Sequence, residues 1–214
     1  MKYPRTPHLP FSPGGTSDDQ RLQSLGHLRG REVVITEKLD GEQISMYSNA
    51  FHCRSEDSGS NQPWRSHVRD LHSQIAHEIP EGFQVVGENM YACHSIPYTK
   101  LTSWFYVFMI FDHNNEIVLS VDETMDWCQL LGLQHTPVIY RGSYSSPESF
   151  ETPSTSQFGL LIEGYVVRAA EAFPVDEFKL NVAKWVRPDH VQTDQHWTRS
   201  WHPNALDNGV ILKY

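Results

Sequence analysis

Glu32-Val33-Val34-Ile35-Thr36-Glu37-Lys38-Leu39-Asp40-Gly41-Glu42-Gln43-Ile44-Ser45-Met46-Tyr47 decides how the rest of this chain is read. Val33, Val34 and Ile35 form a β-branched apolar run that predicts a buried strand over Glu32–Leu39. Asp40-Gly41 interrupts it, and an alternating pattern resumes over Gln43–Tyr47. The expected local structure is strand, tight turn, strand, with Asp-Gly as a common hairpin turn pair. Lys38 then stands at the end of a buried strand beside a sharp turn. An amine placed there can be partly desolvated, and desolvation and neighbouring cations lower its pKa and free its lone pair for attack. At average residue usage a Lys-x-Asp-Gly string arises by chance in about 0.05 chains of this length.

Outward from this stretch, residues 1–16 are rich in Pro, Gly, Ser and Thr and read as an extended arm. Asp18 and Asp19 predict the cap of a short helix through Gln20–Leu28. Residues 55–66 read as a loop. Val68, Leu71, Ile75 and Ile79 recur at spacings of three and four, the stripe of an amphipathic helix over His67–Ile79, which Pro80 and Gly82 end. Phe83–Glu88 and Trp104–Phe111 are apolar and rich in β-formers, hence core strands. On Trp104–Phe111, simple alternation puts Tyr106 and Phe108 on one face and Val107 and Met109 on the other. Ile117–Val121 and Val138–Tyr140 read as short strands, and Asp122–Leu131 as a helix stopped by Gly132. Leu160–Arg168 and Asn181–Val186 complete the strands, and 143–157 reads as a surface loop. No βαβ rhythm is visible. The expectation is an α+β fold of antiparallel sheets, with hairpins dominating.

The chain has 214 residues and a formal net charge of −9. That balance argues against a protein that coats nucleic acid nonspecifically, because such binding rests on Lys and Arg neutralising phosphates. It leaves room for a local basic cleft. Cys53, Cys93 and Cys128 are odd in number and widely spaced, so a disulfide framework or a structural zinc site is not expected. The N-terminus carries no secretory apolar run, and no stretch reaches membrane-span length. A cytoplasmic protein without membrane contact is the expectation.

Further along come Arg54, then Gly87-Glu88-Asn89, then Phe105-Tyr106-Val107-Phe108-Met109-Ile110-Phe111-Asp112. Glu163-Gly164-Tyr165-Val166-Val167-Arg168 and Val182-Ala183-Lys184-Trp185-Val186-Arg187 follow. Each string is weak alone. In this order, after Glu37-Lys38-Leu39-Asp40-Gly41, they resemble the covalent nucleotidyltransferase superfamily of ligases and mRNA capping enzymes. The resemblance spans roughly Glu37 to Arg187. Within that superfamily the chain looks most like the ATP-dependent RNA ligase branch, on Thr36–Glu42, Gly87–Ala92 and Trp104–Asp112.

The resemblance implies a nucleotidyltransferase domain with its nucleotide pocket between the sheets. It implies ATP as AMP donor, Mg²⁺ or Mn²⁺, and RNA ends as substrate. By similarity Lys38 is the nucleophile, forming a lysine–AMP phosphoramidate. Glu37 contacts the adenine edge, Arg54 the ribose or phosphate, and Glu88 the ribose or the metal. Phe108 stacks on the base and Val166 covers its other side. Glu163 positions the divalent ion, and Lys184 holds the α-phosphate. The second basic residue that commonly lies near that lysine is Lys179 or Arg187. The 27 residues after Arg187 and the short N-terminal segment are too few for an appended oligonucleotide-binding or helical domain. One nucleotidyltransferase domain over 1–214 is therefore expected, with 1–31 as arm and short helix and 188–214 as tail. RNA would be gripped by the core surface, by tail residues such as His190, Gln192, Arg199, Trp197 and Trp201, or by an RNA-repair partner protein. A DNA ligase, a GTP-dependent capping-type enzyme and a non-catalytic subunit that binds nucleotide or RNA ends are the alternatives.

Overall fold

The structure is a computed structural model, and it describes residues 2–15, 19–54, 61–145, 154–188 and 201–207. Its strands are β1 (Glu32–Lys38), β2 (Glu42–Met46), β3 (Phe51–Cys53), β4 (Phe83–Asn89), β5 (Phe105–Asp112), β6 (Ile117–Val118), β7 (Gln134–His135), β8 (Val138–Ser143), β9 (Gly164–Ala169), β10 (Phe173–Pro174) and β11 (Val182–Val186). The helices are α1 (Ser66–Ile75), α2 (Val121–Leu131) and the single turn α3 (Phe178–Asn181). One sheet has the order β11-β9-β1-β8. The other runs β10-β6-β5-β4-β2-β3, with β7 added to β5 in parallel. All other named pairs are antiparallel, so the α+β expectation holds.

The opening stretch is not a hairpin. β1 pairs with β8 and β9, whereas β2 pairs with β3 and β4. Asp40-Gly41 therefore carries the chain from one sheet into the other, and Lys38 ends β1 where the two sheets face. Asp40 fixes the crossing. Its Oδ2 accepts from the backbone N–H groups of Ser95 (2.7 Å) and Ile96 (2.9 Å), and its own N–H donates to Tyr98 Oη at 3.0 Å. Gly41 is required by close approach. A Cβ there would stand 2.5 Å from the Asn89 carbonyl oxygen and 2.7 Å from Met90 Sδ. Overpacking of this kind costs about 1–3 kcal/mol. Gly41→Ala is expected to lower the unfolding free energy by roughly that amount, read as an earlier denaturant midpoint at unchanged slope.

Other boundaries moved for identifiable reasons. No α-helix forms over Gln20–Leu28: Arg21 bridges to His8, and one 3₁₀ turn at Gly26–Leu28 is all that winds. Asp18 lies outside the described residues. The amphipathic helix ends at Ile75 and tightens into a 3₁₀ turn at Ala76–Glu78. α2 is capped as its sequence suggests, by a Ser120/Glu123 capping box and by Gly132 in the left-handed region at φ 66°. β9 begins at Gly164, so Glu163 sits just ahead of the strand. The loop expected over 55–66 is described only from residue 61, and it already winds at Pro63–Arg65.

Of the tail, His190, Gln192, Trp197 and Arg199 lie outside the described residues, while residues 201–207 pack down. Trp201 meets Trp64 and Tyr91. Asn204 is buried, and its side chain joins the Met90 carbonyl (2.8 Å) to the Tyr98 N–H (2.9 Å). The tail thus steadies the loop that holds Asp40.

Candidate active site

Strand register assembles the site. Across the first sheet Lys38 stands opposite Gly164, Thr36 opposite Val166, and Val166 opposite Lys184. Alternation puts Thr36, Lys38, Val166, Arg168 and Lys184 on one face, and all five line a single cleft. From the second sheet come Gln43, Glu88, Phe108 and Met109, with Gln43 opposite Glu88 in the β2–β4 ladder. The cleft encloses about 1020 Å³, open solvent at its mouth included.

Lys38 Nζ donates to Glu163 Oε2 at 2.7 Å and lies 2.7 Å from Oε1 of the same carboxylate. Glu163 is buried, and Lys38 is partly so. The lowered lysine pKa expected from the sequence is not found. Burial does pull Lys38 down, but the Glu163, Glu88 and Asp40 carboxylates outweigh it and hold the ammonium above its ordinary value. Burial lifts the Glu88 carboxyl to about 8, with Glu163 and Asp40 adding to the rise and Lys38 opposing it. Glu163 is likewise raised by burial, against the pull of Lys38. Lys184 is lowered by burial and by the Lys38 charge, and its Nζ lies 3.7 Å from Asp19 Oδ1.

Apolar side chains share the lining with residues that carry three buried, unpartnered polar atoms. Phe108, Met109 and Val166 line the cleft together with Thr36, Glu37, Thr136 and Arg168. The expected faces of β5 are corrected here. The β4–β5 register shifts between Val86 and Gly87, which face Met109 and Val107, so Phe108 is the extra residue of a bulge. Phe108 and Met109 consequently reach the same cleft and core cluster, while Val107 turns to the cluster of Phe105 and Ile110. Glu37 is 2% exposed; its carboxylate bonds the Ser156 side chain and accepts from Gln157 N–H at 3.3 Å through Oε2, while Oε1 lacks a partner within hydrogen-bond geometry. Thr136 Oγ1 and Arg168 Nη1 are also buried without a partner. Burial lowers the Arg168 pKa to about 10.

The structure thus brings Glu37, Lys38, Arg54, Glu88, Phe108, Val166 and Lys184 into one lining, with Glu163 bound to Lys38. Neither candidate for the second basic residue joins that lining. Lys179 is exposed on α3, and Arg187 follows the last residue of β11, its N–H donating to the Glu163 carbonyl at 3.0 Å. The cleft draws further cations from elsewhere, Arg5 and Arg168. Sequence reading missed both, together with Tyr3, Thr6, Thr136 and Met109. Arg168 was within reach, since it shares the inward face of β9 with Val166. Among the described residues no three His, Cys, Asp or Glu side chains form a metal-holding group. A magnesium-type ion needs none, because one or two carboxylates plus substrate phosphates suffice.

The RNA ligase family model matches residues 31–186. No curated protein matches the chain. Among solved structures, a mutant of Naegleria gruberi RNA ligase with ATP and Mn aligns at TM-score 0.58 and 12% identity, covering 90% of this chain and 62% of that one. A mutant with AMP and Mn aligns at 0.57 and 13%, covering 88% and 61%. An apo mutant aligns at 0.55 and 14%, covering 76% and 51%. At such identities the likeness is one of fold, and this chain spans between 51% and 62% of the length of those neighbours. The match over residues 31–186, on a fold with Lys38 at its sheet crossing, assigns this chain to the RNA ligase family.

Proposed function

We propose that this chain is an ATP-dependent RNA ligase acting through a lysine–AMP intermediate. The observation that carries the reading is the placement of Lys38. Its amine lies at the crossing between two sheets, hydrogen-bonded to Glu163, in a cleft that the aromatic Phe108 and the aliphatic Val166 also line. In the proposed first step the Lys38 nitrogen, once deprotonated, attacks the α-phosphorus of ATP. The bond to the bridging oxygen breaks, and pyrophosphate leaves with its electron pair. AMP then passes to an RNA 5′-phosphate, and a 3′-hydroxyl attacks that phosphate and expels AMP.

Each side chain has a task that suits its position. Phe108 and Val166 flank the adenine, base–aromatic stacking contributing about 1–3 kcal/mol. Glu37 Oε1, buried and without a partner, accepts from the exocyclic amine of adenine. Lys184 and Arg54 face the phosphates, and Lys184 stabilises charge growing on the α-phosphate. Glu163, with Glu88 near it, offers the hard oxygen donors that suit Mg²⁺ or Mn²⁺. Such an ion, when bound, neutralises the leaving pyrophosphate. The fit is to an ion arriving with the nucleotide.

The test is incubation with labelled ATP or GTP and a divalent ion, then denaturing electrophoresis, followed by strand joining on RNA, DNA and mixed nicks. The expected outcome is a covalent adduct with ATP alone and sealing of RNA 5′-phosphate and 3′-hydroxyl ends. An adduct with GTP alone would favour a capping-type enzyme, and sealing of DNA alone a DNA ligase. No adduct with either nucleotide would leave a binding module. Glu37 gives a sharper check on base choice. Guanine presents a carbonyl where adenine presents its amine, so Glu37 repels it. Glu37→Ala is expected to shrink the preference for ATP over GTP by roughly 10- to 100-fold, the worth of one base-edge contact of about 1–3 kcal/mol. Competition between the two labelled nucleotides measures it.

A further inference from the structure

The segment before residue 31 lies outside the family match, yet it builds part of the cleft. β11 is the end strand of its sheet, with β9 on one side only. The arm covers the other side. Lys184 N–H donates to the Pro7 carbonyl at 2.9 Å, and Leu9 N–H donates to the Lys184 carbonyl at 2.7 Å. Ser12 Oγ accepts from Val186 N–H at 3.0 Å, and Gly14 N–H donates to the Val186 carbonyl at 2.9 Å. Leu9, 1% exposed, anchors this docking in the core. The arm is thus tied to the very residue expected to face the α-phosphate.

Beyond that anchor the arm runs along the cleft, and Tyr3, Pro4, Arg5 and Thr6 all line it. The Tyr3 ring stands edge-on to Phe108 (5.4 Å), Phe178 (5.5 Å) and Phe111 (6.1 Å). Edge-to-face contacts of this kind are attractive and fix ring orientation. Phe108, the extra residue of a bulge, is thereby braced by a ring from outside the sheets. Arg5 is exposed within the lining. With it, five of the chain's 17 Lys and Arg line this cleft against three carboxylates, Asp19, Glu37 and Glu88, a local excess of positive charge in a molecule whose net charge is −9. A polyphosphate is the ligand such a concentration suits.

We propose that the N-terminal arm is a working wall of the nucleotide site, in which Tyr3 positions the base-stacking Phe108 and Arg5 supplies a cation to the phosphates of a nucleoside triphosphate. The inference rests on the ATP reading above. It is tested in the full chain by equilibrium binding of a non-hydrolysable ATP analogue and of adenosine, with thermal melting alongside. Arg5→Ala is expected to weaken the analogue about fivefold at low salt and less at high salt, to leave adenosine unchanged, and to be largely rescued by Arg5→Lys. Tyr3→Leu is expected to weaken analogue and adenosine alike, while Tyr3→Phe, which keeps the ring, binds as the wild type does. Unchanged binding in both Arg5→Ala and Tyr3→Leu would overturn the proposal, and so would tighter binding, which would make the arm an obstruction. Because Arg5 is exposed, its variant reports even where Tyr3→Leu melts early. A wild-type chain that binds neither probe would instead overturn the ATP reading itself.

Discussion

A Lys38→Ala chain is expected to take up no AMP. Wild-type protein incubated with ATP and Mg²⁺ should gain the mass of AMP on one lysine, and the variant should gain none. Loss of a covalent nucleophile typically costs on the order of 10⁴–10⁶-fold, beyond detection in this assay. Lys38→Arg should be equally dead for a different reason. The guanidinium keeps the positive charge beside Glu163, but it does not deprotonate and offers no free lone pair. The pair of variants therefore separates chemistry from fold. Lys38→Arg keeps a cation for a buried carboxylate and should melt close to wild type. Lys38→Ala leaves Glu163 without its partner and should melt earlier. An AMP adduct on Lys184 or on any other lysine in these variants would move the nucleophile elsewhere and sink the assignment.

The site was legible in the sequence because its residues recur as ordered strings, and strand register then makes neighbours of them. Lys38 meets Gly164, and Val166 meets Lys184, simply because β9 lies between β1 and β11. What alternation could not give was the sheet crossing. Asp-Gly between two apolar runs looks the same whether the runs pair with each other or with distant strands. The distant pairings of β1 with β8 and β9 distinguish the two, together with the contacts of Asp40 with Ser95, Ile96 and Tyr98, more than fifty residues on. The β5 bulge was hidden for a similar reason. Every residue from Phe105 to Phe111 is hydrophobic, so no polar marker betrays the shift that brings Phe108 and Met109 to one side. The arm was hidden most completely. Tyr3–Thr6 has no periodicity, and its place depends on the open edge of a strand at the far end of the sequence. The Lys38 pKa departs from the sequence expectation because three carboxylates, distant in sequence or across the turn, converge on the amine and outweigh burial.

That convergence gives the second large effect, at Glu163. Glu163→Gln removes a hard oxygen donor at the cleft, and lysine adenylylation is expected to slow on the order of 10²-fold. The size of the loss alone does not say what Glu163 does; its pH dependence does. In the proposed first step Lys38 attacks only as the neutral amine. In the wild type burial pulls its pKa down, and the carboxylates, Glu163 foremost, push it above the ordinary lysine value. The second-order rate constant for adenylylation at low ATP reports groups of the free enzyme. In the wild type it should climb through the neutral and alkaline range without levelling. Glutamine carries no charge, so burial regains weight and the Lys38 pKa falls. The rising limb of the variant should shift to lower pH and flatten earlier. Well below both pKa values the two profiles run parallel. Once the variant levels off the wild type keeps climbing, so the deficit is smallest in mild acid and widens toward alkaline pH. If Glu163 only held a metal ion and left the lysine proton alone, the two profiles would be parallel throughout, with a constant gap. A widening gap ties Glu163 to the protonation of the nucleophile, and a constant one would remove that role while leaving Lys38 itself in place.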